Sequence, residues 1–156
     1  STFIEPSSEE DVVFIPLLGF EGQRLGYLMD KIQPPIQTTF PIIGVPGFKL
    51  EYPFHTYLGN RNILRSMRLY TRVRFAIANS ASDVFYLLHE IAAEYPNHLL
   101  KIAPIGTKPH ALGAVLFALF ATRPIELVYD HPIRKTKRTK GNANILVYHI
   151  ASLPRQ

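Results

Sequence analysis

The stretch Leu99-Leu100-Lys101-Ile102-Ala103-Pro104-Ile105, followed by Gly106-Thr107-Lys108-Pro109-His110 and then by the apolar segment Ala111 to Ala121, decides the fold class. Its first part is an apolar run of strand length, which suits a strand covered on both faces. Its middle is a turn. Thr107 can cap a helix there, and Pro109 suits a first helical turn because it has no N–H to leave unpaired. The last part contains no charged side chain, and a helix that is apolar all round is buried on several sides. Gly113, Ala114 and Ala118 would let another backbone come close, either beneath a sheet or at an interface with a second copy. Both readings stay open.

The same alternation recurs along the chain. Further strands are expected over Val12–Leu18, Phe40–Val45, Val73–Ala78, Ile125–Tyr129 and Asn144–Ile150. A helix is expected over Gln23–Ile32, stopped by Pro34-Pro35. Asn60 can cap a second helix running to Tyr70, with Ile63, Leu64 and Met67 inward. From Val84 to Tyr95, Leu87, Leu88 and Ile91 share one side while Asp83, Glu90 and Glu94 take the other, with Ser80 or Ser82 as N-cap. Gly47–Gly59 reads as a lid-like loop, long for a compact domain. Strands alternating with helices imply an α/β, Rossmann-like domain whose mostly parallel sheet is flanked by helices. The last two strands are expected to form an antiparallel edge hairpin at the C-terminus. Residues 1–156 read as a single domain. Its start at Ser1 fits Met removal and fits excision from a larger protein equally; we take excision as the expectation.

Composition narrows the functional classes. With 47% apolar and 19% charged residues, the chain is not of disordered type. The absence of cysteine excludes disulfides, thiolate metal sites and a cysteine nucleophile, and favours a reducing, cytoplasmic setting. No apolar run reaches the roughly 18 residues of a membrane span. The formal charge of +5 has one address: Arg134, Lys135, Lys137, Arg138 and Lys140 form an acid-free run, and outside it 12 basic residues face 12 acidic ones. Arg61, Arg65, Arg68 and Arg72 repeat at helical spacing. Either row can contact phosphates or be a solvated face, and few aromatic residues interleave them to stack single-stranded bases. A localised anion is the better match.

In open α/β sheets ligands bind outside the carboxyl ends of the strands. Gly19-Phe20-Glu21-Gly22, Gly44-Val45-Pro46-Gly47, Asn79-Ser80, Gly106-Thr107-Lys108 and Asp130-His131 all fall there. Gly106 would let the backbone approach a ligand. Thr107, Lys108 and the helix N-terminus would hold an anion, Asn79 and Ser80 would read it from a neighbouring strand, and His131 and Arg134 would close from the far side. A second reading makes His110, Asp130 and His131 the acid–base cluster of an enzyme acting on a phosphorylated or nucleotide substrate. Against it stands a plain capping role for Asp130, with both histidines at the rim. A third reading is an assembly module docking through its apolar helix and the Gly47–Gly59 loop. GxGxxG, Walker A and HExxH spacings are absent, so neither a cofactor nor a metal is expected.

Gly106-Thr107-Lys108 at a strand end, followed by a small-residue helix, resembles the ligand-binding motif of CARF-type (CRISPR-associated Rossmann-fold) sensor domains of prokaryotic defence proteins. That resemblance covers about ten residues and the order of elements. It implies a homodimer that binds a cyclic or linear oligonucleotide and regulates an attached effector, with Gly106, Thr107 and Lys108 contacting the ligand. The chain departs from the pattern twice. Ile105 stands where the family often has a second glycine, and Gly19-Phe20-Glu21 replaces the small hydroxyl residue common after the first strand. Glu21 would repel a phosphate at that point.

Overall fold

The computed structural model describes residues 11–130 and 146–150. Five strands, β1 (Val12–Leu17), β2 (Ile42–Gly44), β3 (Arg74–Ala76), β4 (Leu99–Pro104) and β5 (Ile125–Leu127), alternate with four helices. These are α1 (Gly22–Ile32), α2 (Tyr52–Ser66), α3 (Ala81–Glu94) and α4 (Lys108–Phe120). The sheet is all parallel in the order β3-β2-β1-β4-β5. That is a Rossmann-like order, with its topological switch point between β1 and β4. β1 and β4 pair along their whole length, from Val12 opposite Leu99 to Leu17 opposite Pro104.

The apolar runs are continuous because both faces of the sheet are covered. Val13, Ile15 and Leu17 point into one core with Leu100 and Ile102, packed by Val84, Phe85, Leu88 and Ile91 of α3 and Ala114, Leu116 and Phe117 of α4. Phe14, Leu18 and Ile43 point into the other, packed by Leu25, Leu28 and Met29 of α1 and Leu64 of α2. Each helix pair crosses at glycine. A Cβ on Gly113 would lie 2.3 Å from the Val84 side chain and 2.4 Å from the Ala81 carbonyl oxygen, and one on Gly22 would lie 1.9 Å from the Gly59 carbonyl oxygen. Among the described residues no helix is long and apolar enough to cross a membrane.

Three expectations need correction. Gly47–Gly59 is not a long loop, because α2 already begins at Tyr52. Pro53 sits in its first turn, where a missing N–H costs nothing, and Gly59 lies within the helix, where a side chain would strike the Phe20 carbonyl. Asn60 is accordingly no N-cap. It lies buried in mid-helix and donates from Nδ2 to the Gly19 and Thr56 carbonyls, at 2.8 Å each. Finally, Leu146–Ile150, the described part of the sixth strand, carries no strand. That segment crosses the strand ends, where the Tyr148 hydroxyl donates to the Asn79 carbonyl at 2.7 Å. The described sheet therefore ends at β5 without an antiparallel hairpin.

Candidate functional site

The turns after β1 and β4 meet backbone to backbone at the switch point. A Cβ on Gly106 would lie 2.4 Å from the Leu18 carbonyl oxygen, and one on Gly19 would lie 2.8 Å from that of Ile105. The close approach that Gly106 permits is to the neighbouring turn. This crossing forms the floor of a cavity of about 290 Å3, lined by Gly19, Phe20, Glu21 and Arg24 from the β1 side, Phe48, Tyr52 and Thr56 from the α2 side, and Gly106 and Thr107 from the β4 side. Phe20, Phe48, Tyr52 and Thr107 are shared with a wider, apolar cavity of about 530 Å3, whose further lining includes Lys108, Leu112, Leu146 and Tyr148. The two make one groove along the strand ends.

Arg24 organises the β1 side. Its Nε donates to Asp130 Oδ2 at 2.6 Å, its Nη2 donates to Asp130 Oδ1, and its Nη1 donates to the Ile105 carbonyl at 3.2 Å. One side chain therefore ties α1 to the ends of β4 and β5 by a bidentate fork. The hydrogen-bonded Asp130 carboxylate raises the guanidinium pKa further above its ordinary value, despite partial burial.

The β4 side is closed by its own caps. Thr107 Oγ1 accepts the His110 N–H at 3.3 Å and donates to the Ala78 carbonyl at 2.9 Å. Ser80 Oγ accepts the Asp83 N–H at 3.0 Å, and Asp83 in turn accepts the Ile77 N–H at 2.6 Å. His110 is fully buried, and its ring Nε2 donates to the Ile77 carbonyl at 3.0 Å. Burial lowers its pKa, against the opposing pull of that hydrogen bond and of the Asp83 charge. The ring is neutral at pH 7, with Nδ1 as its proton-free nitrogen.

The expected site residues divide accordingly. Gly106 and Thr107 line the smaller cavity, and Thr107 and Lys108 line the wider one. Asn79 and Ser80 line neither; Ser80 is spent on capping α3, and Asn79 contributes its carbonyl to Tyr148. His131 and Arg134, with the rest of the basic run, lie outside the described residues. His110 and Asp130 do not form an acid–base pair. They follow adjacent strands, but His110 is bound to the β3 end on the α3–α4 side, whereas Asp130 is bound to α1 on the other. Among the described residues no three His, Asp or Glu side chains are grouped to hold a metal. Sequence reasoning did not single out Arg24 or Tyr148; Phe48 and Tyr52 fell within the Gly47–Gly59 stretch it read as a lid-like loop, without being named. No protein-family model matches the chain, and no curated protein matches it.

Proposed function

We propose that the protein is a ligand-sensing domain of CARF type, which binds an anionic, nucleotide-like molecule at the strand ends and regulates an attached effector in prokaryotic defence. The observation that supports it is the groove at the β1–β4 switch point, the position where open α/β sheets hold their ligands. Thr107 forms part of its wall, and Lys108, exposed at the first turn of α4, brings a positive charge to the wider half.

Homodimerisation through α4 belongs to the same reading. Val115 and Leu119 are 41% and 73% exposed on a helix with no charge beyond Lys108, so a second copy would remove apolar surface from water. The test of the function is thermal shift against mononucleotides and cyclic oligonucleotides. At least one should raise the melting temperature, and Lys108→Ala should reduce the rise while leaving the unliganded melting temperature unchanged. No stabilisation by any of them, or an unaltered response in Lys108→Ala, would refute the reading.

A further inference from the structure

We infer that the smaller cavity receives an uncharged planar ring of the ligand, a nucleobase or its like, while the anionic part stays outside it beside Lys108. This rests on the reading of the groove as a nucleotide-type site. Small-ligand sites run from about 300 to 1,000 Å3, so a cavity of about 290 Å3 takes one ring system and excludes a longer oligonucleotide segment.

The charges in its wall point the same way. Among the described residues only Glu21 and Arg24 bring charge to the lining, and the Arg24 fork is already committed to Asp130 and to the Ile105 carbonyl. A phosphate entering there would lose its water without gaining an uncommitted cation, which disfavours it. The two threonines of the wall are likewise engaged: Thr56 donates to the Tyr52 carbonyl at 3.1 Å and Thr107 to that of Ala78. Ring surface is what the cavity does offer. Phe20 and Phe48 stand half exposed, and Tyr52 meets Phe20 edge to face at 5.1 Å. An aromatic guest would cover these faces. Lys108 is absent from this lining and present in that of the adjoining cavity, so ring and anion are received in different halves of one groove.

Calorimetric titration of the full chain with adenosine, guanosine, cytidine and uridine, and in parallel with ribose 5-phosphate, tests the assignment. At least one nucleoside should bind, weakening about tenfold in Phe48→Ala and holding its affinity in Lys108→Ala. Ribose 5-phosphate should show the reverse dependence. Phe48 is half exposed, and the same titrations on Phe48→Leu, which keeps an apolar side chain, check that loss of the ring rather than of the fold is read. Binding of ribose 5-phosphate but of no nucleoside, or a ribose 5-phosphate affinity lost in Phe48→Ala and kept in Lys108→Ala, would overturn the ring assignment and leave the anion site standing. Silence from every nucleoside and from ribose 5-phosphate, with no stabilisation by any nucleotide, would overturn both.

Discussion

The two helix pairs sandwich the same sheet but end differently where the strands end. On one face, α3 and α4 close their own N-termini with Ser80 and Thr107, and Arg123 donates to the Ala92, Tyr95 and His98 carbonyls at the end of α3. His110 is sealed beneath them. On the other face, α1 and α2 begin at Glu21 and Glu51 without a side-chain cap, and Arg24, Phe48 and Tyr52 turn towards the groove. One face caps its helices internally and acts as scaffold. The other leaves ring faces and backbone groups for something else to meet.

Gly113→Val should have the largest effect, because it forces a side chain into the α3–α4 crossing, where even a Cβ would meet the Ala81 carbonyl and Val84. We expect a loss of about 3 kcal/mol or more in denaturant melts. A near-neutral result would show that this face is looser than the geometry implies. Arg24→Met comes next, at about 2–3 kcal/mol, since it removes the bidentate partner of the buried Asp130 carboxylate and frees the Ile105 carbonyl. If the groove face is only loosely coupled to the scaffold, hydrogen exchange in this variant should rise in α1 and around Ile105 and stay unchanged in α3.

The pH response is smaller. His110 titrates below its ordinary 6.5 in the folded chain because of burial, so the unfolded chain takes up its proton first as pH falls. Stability is therefore fully present above about pH 6.5 and declines below it, by up to about 1.4 kcal/mol per pH unit for this histidine. His89, also pushed down by burial, acts in the same direction. Melts at pH 7.5 and 5.5 should show the decline, and His110→Gln should flatten it. An equal pH dependence in that variant would mean His110 is not the sealed, neutral group of the scaffold face.

Local signals made the scaffold face readable from sequence. Caps and apolar periods lie within a few residues of each other, so Ser80, Thr107 and the length of α3 were visible without tertiary information. The groove face was not. Pro53 and Gly59 look like loop residues until the first-turn position of one and the carbonyl facing the other are known. Asn60 has the composition of a cap, but its amide serves the Gly19 carbonyl 41 residues earlier. Arg24 meets its carboxylate 106 residues away, a pairing to which no local pattern points. His110 misled in the opposite sense: an imidazole in a strand-end turn suggests a group at the rim, and this one is buried against the Ile77 carbonyl.

The division of labour between the faces is open to one residue-resolved experiment. An isotope-labelled chain titrated with a nucleotide that stabilises it should show amide shifts concentrated at Gly19–Arg24, Phe48–Thr56 and Gly106–Lys108. Amides in the middle and at the end of α3 should stay still. Shifts centred on α3, or spread evenly over both faces, would contradict the assignment of ligand binding to the groove face.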